Sequence, residues 1–134
     1  MTTAVPAKFE TVMIIDDNFV DLYITSCMIS KNNFGKNLLL YTSAEEALKY
    51  LQDNQDNIAI LPQIIFVDIY MPLMSGFEFL EAFDNLTVAL KKQTKTYILS
   101  STIDNDDIAR SNNNSNVEAF YVKPITKEFL DRIV

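Results

Sequence analysis

Histidine and tryptophan are missing from this 134-residue chain, cysteine occurs once, and glycine and proline are scarce at two and four residues. Without His there is no Ser-His-Asp or Cys-His hydrolase, no His-ligated zinc and no imidazole to receive a phosphoryl group. A single cysteine, Cys27, gives neither an internal disulfide nor a thiolate metal cluster. So little Gly and Pro does not make a linker-rich or disordered chain. Positive charge is also short: eleven Lys and Arg against eighteen Asp and Glu leave −7. That argues against nucleic acid as a direct ligand, because phosphate contacts need a basic patch. It permits a hard cation held by oxygen ligands. No stretch approaches the ~18 apolar residues of a membrane span, and Met1 to Lys8 lacks the basic start and apolar run of a signal peptide. A cytoplasmic protein is expected.

What is present is an apolar fraction of 49%, enough for one core, in a length that fits one domain over residues 1–134. Residues 1–9 are expected to be a frayed tail. The apolar residues fall into two kinds of block. Val12–Ile15, Leu38–Tyr41, Ile64–Val67, Tyr97–Leu99 and Phe120–Val122 are short continuous runs, the pattern of strands buried on both faces of a parallel sheet. Between them the spacing turns helical. Val20, Tyr23, Ile24, Cys27 and Met28 predict a core-facing stripe, with Cys27 in the core. Ala44, Ala47, Leu48 and Leu51 predict a second helix, and Phe79, Ala82, Phe83, Leu86 and Leu90 a third. Ser43 to Glu46 reads as a capping box, and Thr126 as a cap with Ile125 and Leu130 as a hydrophobic staple. Asp104 to Arg110 predicts a short, mobile helix, followed by a Ser- and Asn-rich loop over Ser111–Asn116. Phe120 and Tyr121 alternate in a strand, so one is expected inward and the other outward. Strands alternating with helices imply right-handed crossovers and an open parallel α/β sheet with helices on both faces.

Ligands of such sheets bind beyond the carboxyl ends of the strands. Asp16 and Asp17 follow the first strand, Asp68 the third, Ser100 and Ser101 the fourth, and Lys123-Pro124 the fifth. Taken singly, each has a plainer reading. Asp16-Asp17-Asn18 can cap a helix, Asp68 can serve a turn, Ser100 can cap, Lys123 can be a solvated charge, and Met71 and Met74 can pack a loop. Taken together, they place three carboxylates, a hydroxyl and an ammonium on one edge. Three clustered carboxylates raise one another's pKa unless a cation neutralises them. An all-oxygen donor set favours Mg²⁺. A carboxylate in such a site can act as nucleophile and form an aspartyl-phosphate.

Ile14-Ile15-Asp16-Asp17-Asn18, Phe66-Val67-Asp68-Ile69-Tyr70-Met71-Pro72 with Gly76, Leu99-Ser100-Ser101 and Tyr121-Val122-Lys123-Pro124 resemble, in order and spacing, the receiver domains of two-component response regulators. The resemblance spans nearly the whole chain. It implies a flavodoxin-like fold of five parallel strands in the order 2-1-3-4-5. Asp68 would then be the phosphoacceptor. Asp17, Asp16, Asp68 and the backbone carbonyl of Tyr70 would hold Mg²⁺, with Asp16 acting in part through water. Lys123 and Ser100 would contact the phosphoryl group, Ser100 and Phe120 would form the switch, and Lys123-Pro124 would be a cis peptide candidate. The chain departs from the family at Ser75, where Asp is frequent. It departs at Asn116-Val117, where Gly-Ala is usual and where Asn is expected to supply the left-handed turn. Phe120 also stands where Tyr is found, without a hydroxyl to bond a partner.

The resemblance further implies a phosphoacceptor signalling domain rather than an enzyme, one that assists its own phosphorylation and dephosphorylation. Its partners would be a sensor histidine kinase or phosphotransfer protein and a downstream protein. The latter would meet the face made by the fourth predicted helix, the fifth strand and the fifth predicted helix. With nothing beyond residue 134 in this sequence, output is expected by protein–protein contact or relay. Two rivals remain: a pseudo-receiver that never takes phosphate, and a haloacid-dehalogenase-type aspartyl phosphatase. The second usually carries an acid two residues after its nucleophile, where this chain has Tyr70, and it needs room for a cap domain. A flavodoxin proper would need a Ser/Thr-Gly-rich loop after the first strand, which is absent.

Overall fold

In the computed structural model, which describes residues 6–133, strands and helices alternate as the apolar pattern predicts, with one helix added. The strands are β1 (Phe9–Ile15), β2 (Gly35–Tyr41), β3 (Ile64–Asp68), β4 (Lys95–Ser100) and β5 (Val117–Val122). The helices are α1 (Phe19–Lys31), α2 (Ala44–Asp53), α3 (Gly76–Phe83), α4 (Val88–Gln93), α5 (Asn105–Asn112) and α6 (Lys127–Arg132), with a 3₁₀ turn at Ile58–Ile60. All strand pairs are parallel and the order is β2-β1-β3-β4-β5. The chain therefore reverses its winding between β1 and β3, the switch point where ligands of such sheets bind.

The continuous apolar runs follow from helices on both faces. Successive strand residues point to opposite sides, and each side is covered. Met13, Ile15, Ile65, Val67 and Ile98 pack with residues of α2, α3 and α4. Val12, Ile14, Ile64, Phe66, Tyr97 and Leu99 pack with residues of α1 and α6. Phe66, fully buried, lies 5.7 Å from the ring of Tyr97 and 6.3 Å from that of Phe129. Phe120 and Tyr121 also face opposite sides, but neither is simply outward. Phe120 packs on the first cluster and Tyr121 on the second, where its ring stacks on Phe129 at 4.0 Å.

Several expectations are corrected. The frayed tail does not reach residue 9: the Lys8 and Phe9 N–H groups donate to the Asn33 and Phe34 carbonyls, and Phe9 opens β1. Residues 1–5 of that tail lie outside the described residues. On α1 the buried residues are Leu22, Thr25 and Ile29, whereas Val20, Tyr23, Ile24 and Cys27 are exposed. This helix is apolar on both sides, and a threonine in its buried stripe hides the true face from a hydrophobic periodicity. The third predicted helix is two helices. The turn at Asp84–Thr87 separates α3 from α4, whose first turn is capped by the Thr87 hydroxyl accepting from the Leu90 N–H. Leu86 and Leu90 stay buried across the break, so the apolar spacing survives it. The Ser43 hydroxyl accepts from the Glu46 N–H. The reciprocal box, with both bonds made, is at Ser75 and Glu78 instead. Asn116 does not take a left-handed conformation. Among the described non-glycine residues, positive φ occurs at Asn33 and Leu73. The turn before β5 is held instead by the Asn116 N–H donating to the Asn114 side chain at 2.9 Å, and β5 absorbs a register shift opposite Thr96 and Tyr97.

Candidate functional site

Beyond the carboxyl ends of β1 and β3 the structure gathers Asp16, Asp17 and Asp68, with one oxygen from each lying within 4.8 Å of the others. Asp16 is placed by its N–H donating to the Tyr41 carbonyl at 3.0 Å, which prolongs the β1–β2 pairing by one residue. Its carboxylate accepts from the Asn18 N–H at 3.0 Å. Asn18 in turn caps α1, its side-chain oxygen accepting from the N–H groups of Val20 and Asp21. Capping is thus done by Asn18, which leaves the Asp16 and Asp17 carboxylates available at the site. Asp68 ends β3, 8% exposed, with one oxygen accepting from the Ile69 N–H at 3.0 Å.

The loop after Asp68 is closed by Gly76, whose N–H donates to the Ile69 carbonyl at 2.8 Å. A Cβ on Gly76 would collide with the Asp68 carbonyl and lie 3.0 Å from the Ile69 Cα. The glycine is needed here for close approach of backbones. Tyr70, in the same loop, is exposed, and its hydroxyl donates to the Asp107 carboxylate on α5.

Lys123 closes the other side. Its ammonium lies 2.7 Å from Asp16, 3.0 Å from Asp21 and 3.6 Å from Asp68. The Lys123–Pro124 peptide bond is cis. The Lys123 N–H donates to the Ser100 carbonyl at 2.7 Å, tying the ends of β4 and β5 together. Ser100 is fully buried, and its hydroxyl oxygen accepts from the Thr102 N–H at 3.2 Å. Phe120 pairs in register with Ile98 on β4, two residues before Ser100. Asp21 was not singled out from the sequence. The signal for it was its position one helical turn after Asp17, on the turn that faces the strand ends.

Four carboxylates share one ammonium, an excess of three negative charges if all ionise. Burial is the main force raising the Asp68 carboxyl, to about 6. The Lys123 charge opposes it, and the Asp16 and Asp17 charges add to it. For Lys123, burial favours the neutral amine, but the hydrogen bonds to Asp16 and Asp21 outweigh it and the pKa is raised. The site therefore holds negative charge that it compensates incompletely. Its donors are all oxygens, the set a small hard divalent cation takes.

The sequence profile of the response regulator receiver domain matches residues 12–134. Solved structures agree. A two-component response regulator from Cytophaga hutchinsonii aligns with a TM-score of 0.84 at 26% identity, covering 92% of each chain. A response regulator receiver protein from Dyadobacter fermentans aligns with a TM-score of 0.79 at 26% identity, covering 92% of this chain and 96% of that one. The fold alone is shared with the CheX-CheY-BeF3-Mg+2 complex of Borrelia burgdorferi, at 18% identity and a TM-score of 0.70 over 89% of this chain and 81% of that one. No curated protein matches at a significant level. The chain belongs to the response regulator receiver domain family. It is a receiver domain of two-component signalling with the fold of the chemotaxis receivers. No helix among the described residues is long and apolar enough to cross a membrane.

Proposed function

We propose that Asp68 accepts a phosphoryl group from a phosphohistidine carried by a separate histidine kinase or phosphotransfer protein. The observation that carries this reading is the convergence of Asp16, Asp17 and Asp68 within 4.8 Å, with the Lys123 ammonium beside them. A carboxylate oxygen of Asp68 forms a bond to phosphorus as the phosphorus–nitrogen bond of the donor breaks. The electron pair leaves with the imidazole, which picks up a proton. One Asp68 oxygen is engaged by the Ile69 N–H, which fixes the carboxylate at the strand end. The protein's share of the work is position and charge. With a pKa of about 6, Asp68 is mostly the ionised nucleophile at neutral pH.

Asp17, Asp16, Asp68 and the Tyr70 carbonyl would hold Mg²⁺, which when bound neutralises charge on the transferred group. Lys123 and the Ser100 hydroxyl would take the phosphoryl oxygens. Ser100 and Phe120 would pass the change to the face formed by α5, β5 and α6, where a downstream protein docks. The added charge is about −1.5 to −2. The chain acts as a cytoplasmic signalling domain, with no separate substrate to turn over.

The test is intact mass after incubation with acetyl phosphate and Mg²⁺. One phosphoryl group is expected on the wild-type protein and none on Asp68→Asn. No gain supports instead a receiver that works without phosphate, and a gain that survives Asp68→Asn overturns Asp68 as the acceptor.

A further inference from the structure

Asp21 stands outside the set of residues that the receiver resemblance names, yet it holds Lys123 more closely than Asp68 does, at 3.0 Å against 3.6 Å. It occupies the first turn of α1, where an acidic side chain ordinarily faces solvent and the helix end. That helix end is already capped by Asn18. The Asp21 carboxylate instead reaches back to the ammonium, with a side chain 34% exposed against 8% for Lys123. An ammonium has three protons to donate. Two are taken, by Asp16 at 2.7 Å and Asp21 at 3.0 Å, and Asp68 lies beyond hydrogen-bond reach.

We propose that Asp21 is a positioning residue that holds the Lys123 ammonium away from Asp68, so that Lys123 draws closer to an incoming phosphoryl group once the hold of Asp21 is released. The inference rests on the phosphoacceptor reading of Asp68 and adds a regulator of that site. Asp16 faces the acidic cluster as well as Lys123, so a cation there would draw it off. Asp21 is outside the cluster and would keep its hold.

The rate of labelling by acetyl phosphate at saturating Mg²⁺ tests this, together with the NMR signal of the Lys123 ammonium recorded without any phosphodonor. Asp21→Asn is expected to label ~3- to 10-fold faster, the range a partly exposed charge pair can impose. Its Lys123 ammonium signal should shift. Asp21→Glu, which restores the charge, should return both readings toward wild type. Labelling of Asp21→Asn at or below the wild-type rate overturns the proposal. So does faster labelling with an unmoved Lys123 signal, because that is the result of merely removing a negative charge near an anionic donor. If the wild-type protein takes no label at all, the phosphoacceptor reading falls. The Lys123 signal then decides the hold by Asp21: a shift in Asp21→Asn upholds it and an unmoved signal overturns it.

Discussion

The hydroxyl of Tyr70, in the loop that follows Asp68, donates a hydrogen bond to the carboxylate of Asp107 on α5. This bond joins the acceptor loop to an α-helix that buries no apolar residue, its buried residue being Ser111. The other holds on that helix are also polar or superficial. Arg110 lies 4.2 Å over the Phe77 ring and 3.6 Å from Glu81. An element with so little buried apolar surface opens at low cost. The bond to Asp107 is the first cause raising the Tyr70 phenol, to about 12, so the hydroxyl stays a donor throughout the neutral and alkaline range up to that value.

Tyr70→Phe removes the link and leaves the ring. Amide hydrogen exchange over Asn105–Asn112 should speed up in this variant, while exchange in β1 and β3 stays as in wild type. Unchanged protection of α5 would show that Arg110 and the Asp104 cap alone hold it. The Asp104 side chain accepts from the Asp106 and Asp107 N–H groups and does not depend on Tyr70.

Asp68 sets a pH dependence of unusual sign. Its folded pKa of about 6 lies above the ordinary 3.8, with burial the leading cause. Between those two values the folded protein binds a proton that the unfolded chain has lost. Stability therefore falls as pH rises through about 4 to 6, and the cost is fully present at pH 7. Asp84, whose pKa is lowered by its hydrogen bond with Asn116, acts in the opposite sense and below this window. Asp68→Asn should flatten urea-denaturation stability between pH 4 and 6. It should also add about 1–2 kcal/mol at pH 7, the full shift being reduced for solvent screening. Added Mg²⁺ should raise the wild-type Tm more at pH 7 than at pH 5, because protons compete for the same carboxylate.

Gly76 offers a way to disturb Asp68 without touching its side chain. A methyl group there must push on the Asp68 carbonyl or the Ile69 Cα, both backbone. Gly76→Ala should cost about 1–3 kcal/mol, the range of overpacking, and should also shrink the Tm gain from Mg²⁺. Ser75→Ala is the control. It loses a helix cap worth ~1 kcal/mol beside the same loop, and it should leave the Mg²⁺ response intact. Equal loss of the Mg²⁺ response in both variants would mean that general loosening of α3, rather than displacement of Asp68, is responsible.

The sheet could be read from the chain because its three inner strands β1, β3 and β4 are buried on both faces, so each wrote a continuous apolar run such as Ile64–Val67. The site could be read because its residues follow those runs directly. The structure brings Asp16, Asp17, Asp68 and Lys123 together as strand order requires. What escaped was decided by tertiary packing or by single polar groups. The break between α3 and α4 leaves the apolar spacing of Leu86 and Leu90 untouched, and only Thr87 marks it. The strands run further than their apolar cores, through Glu10 and Lys36, because backbone pairing is indifferent to these side chains. Asp21 reaches the site from the first turn of α1, where its spacing from Asp17 is the one trace of it in the sequence.

The face of α1 is the sharpest of these differences and can be measured directly. Leu22 is 7% exposed and packs with Ile29 and Phe66, whereas Tyr23 beside it is 69% exposed. Periodicity alone favoured Tyr23, because Val20, Tyr23, Ile24 and Cys27 form the longer apolar stripe and Thr25 interrupts the buried one. If the buried stripe is Leu22–Thr25–Ile29, Leu22→Ala leaves a cavity and should cost about 2–5 kcal/mol in urea denaturation. Tyr23→Ala should change stability by no more than ~0.5 kcal/mol, as surface substitutions do. The reverse ranking would place the Tyr23 stripe against the sheet. It would also turn Asp21 away from Lys123, since rotating the helix about its axis carries every side chain on it.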